Sequence, residues 1–209
     1  NSDTTEDVIG LIVSTTGNYL NEDNQLTPTI NESLPVCTIT AIENDKKVFG
    51  VISNKEDENT SRRYGVGVWK STDGGTSWLQ TGLNPSNNPG TNRTSEIYIN
   101  PNDSNVLWVA TNTGVYMTTN AGNTWTLSQS GNFRDLKVKP SNPNIIYAST
   151  NSQFYRSTNG GNSFNLVTTG LPSAAGRMYI DVTQANSNYV YLVAATGGYD
   201  YEGVYRSTN

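Results

Sequence analysis

Histidine is missing altogether, and with it the base of a Ser-His or Cys-His pair and the commonest imidazole metal ligand. Cysteine occurs once, at Cys37, so no disulfide forms within the chain and a buried thiol is expected there. Only 15% of the 209 residues are charged, and the net charge of -5 argues against a surface built for nucleic acid or anionic membrane. No apolar run approaches the length of a membrane span, so membrane insertion is not expected. No stretch keeps apolar residues at three- and four-residue spacing, which excludes helix as the main element. No cofactor and no metal are expected from what remains.

What the chain does have is Asn, Thr, Ser and Gly, and an eight-residue unit that returns along it. Ser71-Thr72-Asp73-Gly74-Gly75-Thr76-Ser77-Trp78 is followed by Thr118-Thr119-Asn120-Ala121-Gly122-Asn123-Thr124-Trp125 and Ser157-Thr158-Asn159-Gly160-Gly161-Asn162-Ser163-Phe164. A last copy begins at Ser207-Thr208-Asn209. The starts lie 47, 39 and 50 residues apart, a spacing typical of solenoids, propellers and arrays. An Asp or Asn at the third position accepts bonds from nearby backbone N–H groups, and the glycines (Gly75, Gly122 and Gly161 among them) supply the positive φ of a tight hairpin. The first hydroxyl bonds across the turn, and the final aromatic is expected to be buried beneath it. Such a unit is a folding device without a reactive group.

Each unit follows a short apolar-aromatic run: Gly67-Val68-Trp69-Lys70, Gly114-Val115-Tyr116-Met117, Gln153-Phe154-Tyr155-Arg156 and Gly203-Val204-Tyr205-Arg206. Together these residues resemble the Asp-box, or BNR, repeat found in sialidase-, xyloglucanase- and sortilin-type propellers and in a photosystem assembly factor. The resemblance covers residues 67–209 and implies an all-β fold, a β-propeller of four-stranded antiparallel blades. On it, Ser71, Asp73, Gly75, Trp78, Thr118, Asn120, Gly122, Trp125, Ser157, Asn159, Gly161, Phe164, Ser207 and Asn209 are structural. At this spacing the chain holds about four blades, an incomplete ring that the rest of the polypeptide or a partner chain is expected to complete.

Residues 1–66 read as an N-terminal β segment contributing strands and loops to a first blade, ahead of the blades in 67–209. Val36 to Ile42, a turn, Val48 to Ser53 and Gly67 to Ser71 repeat the later layout of strand, turn, strand, loop, strand and hairpin. The runs Val8-Ile9-Gly10-Leu11-Ile12-Val13, Pro35-Val36-Cys37-Thr38 and Val48-Phe49-Gly50-Val51-Ile52-Ser53 also resemble the start of tail-fibre chaperone-type domains of phages and large viruses. That second resemblance implies a virion or fibre component.

In a propeller the first strand of each blade faces the central channel, so acids there are the candidates for catalysis. Glu96 and Asp135 coincide when the Asn/Pro turns that follow them are aligned, and Asp181 coincides with Lys137. A carboxylate pair cleaves a glycosidic bond at a separation of about 5 Å or about 6.5–9.5 Å, depending on stereochemistry. The plainer expectation is that these acids are solvated or ion-paired, with Arg134 beside Asp135, leaving no catalytic residue. Tyr199, Asp200 and Tyr201 lengthen one loop and are the candidates for ligand contact, since exposed tyrosines stack on sugars. The Arg-Ile-Pro motif and arginine trio of sialidases are not found.

The function expected is an extracellular binding or scaffolding propeller module, secreted or at the cell surface, with a glycan or protein ligand and no catalysis of its own. The alternatives are a portion of a secreted glycoside hydrolase acting on polysaccharide, or a virion or tail-fibre component. Asn31, Asn59, Asn92 and Asn102 each open an N-glycosylation sequon, which is compatible with secretion.

Overall fold

The structure, a computed structural model, describes residues 12–14, 36–42, 48–55, 63–91, 93–172, 175–198 and 200–208, and the side chains from residue 67 onward. The expectations for Val8 to Leu11, Tyr199, Asn209 and the sequons at Asn31, Asn59 and Asn92 lie outside the described residues. The chain divides into two compact units, Asn1–Arg93 and Thr94–Asn209.

The first unit is one antiparallel sheet of β1 (Ile12–Ser14), β2 (Val36–Ile42), β3 (Val48–Lys55), β4 (Arg63–Ser71) and β5 (Leu79–Gln80), hydrogen-bonded in sequence order. Four of these strands are the ones expected for a first blade. β1 adds a fifth by pairing Val13 with Cys37. β4 closes onto the segment after β5: Val68 donates its N–H to the Leu83 carbonyl and accepts from Thr81 N–H, both at 2.9 Å. Gly67 is required there, because at φ 109 a side chain would collide with the Leu83 carbonyl and Asn84 Cα.

The second unit contains three antiparallel sheets. The first is β6 (Thr94–Ile99), β7 (Leu107–Thr111), β8 (Gly114–Thr118) and β9 (Thr126–Ser130). Next come β10 (Asp135–Val138), β11 (Ile146–Ser149), β12 (Phe154–Ser157) and β13 (Asn165–Val167). The third holds β14 (Ala175–Val182), β15 (Val190–Thr196) and β16 (Tyr201–Ser207), so it has three strands among the described residues. In the first two, the first and second strands are joined by an Asn- and Pro-bearing turn with the same bonds. Asn100 N–H reaches the Val106 carbonyl at 2.9 Å, and Lys139 N–H reaches that of Ile145 at 2.9 Å.

β7 and β11 are buried along their whole length, which explains why they read as continuous apolar runs rather than alternating ones. One core fills the space between the first two sheets, with Trp108, Val115, Phe133, Leu136, Ile146 and Phe164. A second fills the space between the last two, with Tyr147, Phe154, Met178, Ile180, Val190 and Leu192. Burying a side chain of this size is worth about 1.5–3 kcal/mol. Neighbouring sheets are also tied across the gaps by serine hydroxyls. Ser95 Oγ donates to the Phe133 carbonyl at 3.0 Å, and Ser149 Oγ to that of Met178 at 3.2 Å.

The eight-residue hairpins share one hydrogen-bond pattern. Buried hydroxyls of Ser71, Thr118 and Ser157 accept the N–H groups of Gly75, Gly122 and Gly161 at 2.8, 3.1 and 2.9 Å. The same hydroxyls donate to Asp73, Asn120 and Asn159 at 2.7, 2.9 and 2.9 Å. These three side chains reach forward to accept the N–H of the seventh residue, Ser77, Thr124 and Ser163. The seventh hydroxyl completes the loop by donating to Asp73 in the first copy and accepting from the amides of Asn120 and Asn159 in the others. That partner was unread in the sequence, although a hydroxyl at position seven in all three copies marked it.

The closing aromatics differ from the uniform burial expected. Phe164 is buried, whereas Trp78 and Trp125 are half-buried and donate their indole N–H to the Gly75 and Gly122 carbonyls at 3.1 and 3.0 Å. An indole carries a donor that needs a partner, so these rings lie over their own turns, and phenylalanine is free of that demand.

Only the first hairpin carries a charge. The Ser77 hydroxyl, then the Ser77 N–H, then the Ser71 hydroxyl hold the Asp73 carboxyl at about 2, below its ordinary 3.8. A depressed folded value means that the contribution is complete above pH 3.8 and is lost as pH falls toward about 2. Amide exchange at Ser77 is therefore expected to accelerate across that window in the wild-type chain and to stay level in Asp73→Asn. Equal acceleration in both would show that the carboxylate does not hold the turn.

Candidate functional site

The innermost strands β6, β10 and β14 bring the sequence candidates Glu96 and Asp135 together around Lys137. Lys137 Nζ lies 3.3 Å from Glu96 Oε1 and 3.1 Å from Asp135 Oδ1. Asp135 is only 3% exposed, and its oxygens accept two further bonds. Oδ1 takes the Leu136 N–H at 2.9 Å, and Oδ2 takes the Ile180 N–H of β14 at 2.7 Å. Asp135 thus bolts the second sheet of the unit to the third, and Lys137 carries the tie back to Glu96 in the first.

The partner expected for Asp135 was Arg134, and the structure corrects this. Neighbouring residues on a strand point to opposite faces, whereas residues two apart share one. Arg134 turns away and donates its Nε–H to Asn151 Oδ1 at 2.8 Å.

Burial and neighbouring charge act together on Glu96 and Lys137. Burial raises the Glu96 carboxyl above its ordinary value; Lys137 pulls the other way, and the charge of Asp135 adds to the rise. For Lys137 burial pulls downward, yet the attraction of Glu96 and Asp135 outweighs it and leaves the ammonium above its usual value. One ammonium serves two carboxylates, and their combined attraction offsets the cost of its burial. Glu96 is the more exposed of the two carboxylates and lies farther from the ammonium. Burial also raises the phenol of Tyr98, against the opposing charge of Lys137.

Asp181 is exposed and accepts the N–H of Val182 at 2.8 Å, apart from the cluster. The three sequence candidates therefore do not converge on a common centre. Among the described residues no group of three His, Cys, Asp or Glu side chains is placed to hold a metal ion.

The second candidate region is the β15–β16 hairpin. Asp200 and Tyr201 are both exposed, Tyr201 at 73%. The Thr196 N–H donates to the Asp200 carbonyl at 2.8 Å, and the Asp200 N–H to Thr196 Oγ1 at 3.3 Å, so the loop is braced while its side chains face out. Tyr201 pairs with Ala195, which pairs in turn with Arg177 on β14. Arg177 lies against the Tyr179 ring, 4.8 Å from its centroid, and donates Nη2–H to its hydroxyl. A short row of aromatic and cationic groups therefore crosses this end of the sheet, a combination that sequence inspection of the loop alone did not reveal.

No protein-family model and no curated protein sequence matches the chain. Solved structures do. An ancestral GH74 enzyme, AFV00434, is 30% identical over 76% of the chain with a TM-score of 0.57. The GH74 enzyme of Niastella koreensis is 21% identical over 77%, with a TM-score of 0.55. The GH74 xyloglucanase of Xanthomonas campestris is 15% identical over 77%, with a TM-score of 0.54. The chain spans 21%, 26% and 27% of the lengths of these three proteins. The fold they share with it is the β-propeller, and the antiparallel sheets of this chain are its blades.

Proposed function

We propose that this chain is a binding portion of an extracellular propeller, directed at a glycan, that takes no catalytic part through its own inner-strand acids. One observation carries the reading: Lys137 sits between Glu96 and Asp135. A scissile sugar would need the space that the ammonium occupies, and Asp135 already spends both oxygens on backbone N–H groups. Glycan as the ligand class is supported by the likeness to GH74 enzymes and by the outward Tyr201 ring beside Asp200. The shared bonding of a first-position hydroxyl with a third-position Asp or Asn in the three hairpins supports reading them as Asp-boxes. Exposure of the Asn102 sequon suits a secreted protein.

A second reading keeps the same module within a longer hydrolase that cleaves polysaccharide with acids located elsewhere. The 30% identity to the ancestral GH74 enzyme favours it.

Titration calorimetry of the 209-residue chain with xyloglucan oligosaccharides tests both. Binding is expected, and Tyr201→Ala is expected to weaken it about tenfold, equivalent to about 1.4 kcal/mol. If sugar is also released and Glu96→Gln abolishes the release, the non-catalytic reading fails. Unchanged affinity in Tyr201→Ala removes the hairpin from the site.

A further inference from the structure

A groove of about 550 Å³ opens in the second unit beside β16, walled by Tyr147, Phe154, Val167, Leu171, Val190 and Tyr205 and reaching Ser207 and Thr208. Its shape is explained by what fills the corresponding place one sheet earlier. There Gly160 and Gly161 of the hairpin lie against the preceding sheet. Trp108 donates its indole N–H to the Gly160 carbonyl at 2.9 Å, and Gly161 rests on Trp108 and on Ile146 of its own sheet. The closing aromatic of that hairpin, Phe164, then enters the core containing Trp108 and Val115.

Each of these supports has a counterpart one sheet on. Counting from the strand positions, Trp108 corresponds to Tyr147, Ile146 to Val190, and Val115 to Phe154. All three counterparts line the groove. Ser157, which accepts the Gly161 N–H, corresponds to Ser207, which stands at the groove wall. On the far side β16 is an edge strand of its sheet among the described residues, where β13 pairs with β12 in the sheet before.

We infer that this groove is the seat of a glycine-bearing turn and a short strand of the chain's own repeat type, entering directly from β16. The glycines would lie on Tyr147 and Val190, an aromatic four residues after the first glycine would pack on Phe154 and Leu171, and the strand would pair antiparallel with β16. Backbone bonds give such strand addition its affinity, and the pocket for the aromatic gives it selectivity. Glycine is demanded at the second turn position, because at Gly161 a Cβ would lie 2.6 Å from Trp108 Cδ1 and 3.1 Å from Ile146 Cδ1. The occupant is therefore read from chemistry on three walls of the groove and is independent of any glycan ligand.

The test is a synthetic peptide copying residues 160–168, Gly160 to Thr168, added to the 209-residue chain. One-to-one binding is expected, with amide exchange in β16 slowed at least about tenfold and exchange in β6 to β9 unchanged. The peptides carrying Gly161→Trp or Phe164→Ala are expected to bind at least about tenfold more weakly, as is the wild-type peptide to Leu192→Arg. In a second arm, the same nine residues are appended after Asn209. They should raise the melting temperature relative to a scrambled extension, which keeps the proposal testable if Leu192→Arg does not fold. The proposal is overturned if neither the peptide nor the extension protects β16. It is equally overturned if the chain instead forms a dimer in light scattering that the peptide fails to dissociate, since a second copy would then own the groove.

Discussion

Asp135→Ala is expected to lower the stability of the second unit by about 3 kcal/mol, read as a lower urea midpoint at constant slope. The carboxylate accepts from the Ile180 N–H across the sheet boundary and from Leu136, and it is the closer of the two anions to Lys137. Truncation leaves the buried Ile180 N–H without its acceptor, which costs about 1–3 kcal/mol, and removes the counter-ion that helps hold Lys137. Glu96→Gln is the contrast. Burial already disfavours the Glu96 charge, so its loss should change stability by less than about 1 kcal/mol. The sign is checked by acidification: a raised folded value means that the Glu96 contribution is fullest below its ordinary 4.5 and falls as pH rises through the folded value. A loss below about 1 kcal/mol in Asp135→Ala, or equal losses in the two variants, would mean that the sheets are held by their apolar faces alone.

Gly161→Ala is expected to cost about 3 kcal/mol, whereas Gly160→Ala, one residue earlier, should cost about 1. Both glycines sit at positive φ, 68° and 81°, which penalises any side chain by about 1–2 kcal/mol. Only Gly161 is also pressed against the Trp108 indole. A methyl there overpacks a fully buried tryptophan and threatens its 2.9 Å bond to the Gly160 carbonyl, adding about 1–3 kcal/mol. The site nearest Gly160 is Asn144 Oδ1 at 3.6 Å, which a methyl tolerates. Chemical denaturation of both variants decides the matter; matched losses would show that backbone conformation, and not the indole, dictates glycine.

Much of the fold was legible because the repeat announces itself three times. Turn residues, the hydroxyl before them and the apolar runs between them are all local signals, and they set strand count and order for β6 to β13. Less legible was anything that depends on a partner far along the chain. Trp108 reads as one more apolar residue in Val106-Leu107-Trp108-Val109, and only the fold reveals its acceptor 52 residues away. The alignment of Glu96 with Asp135 was visible, but it suggested equal roles. Their fates diverge because Ile180 presents an N–H to Asp135 alone. Lys137 was within reach of sequence reasoning, since the two-residue period of a strand puts it on the side of Asp135 and puts Arg134 on the other. The half-burial of Trp78 and Trp125 likewise follows from the indole donor, a property of the residue type that the uniform reading passed over.

Every tie found between sheets of the second unit links a sheet to its immediate neighbour: Ser95 to Phe133, Trp108 to Gly160, Asp135 to Ile180, Ser149 to Met178. Cohesion in such a stack is a chain of short-range couplings, as in repeat proteins whose stability sums over adjacent pairs. Whole sheets can then be gained or lost by duplication and deletion of one repeat length, because each newcomer arrives carrying both halves of the latch that its neighbours require.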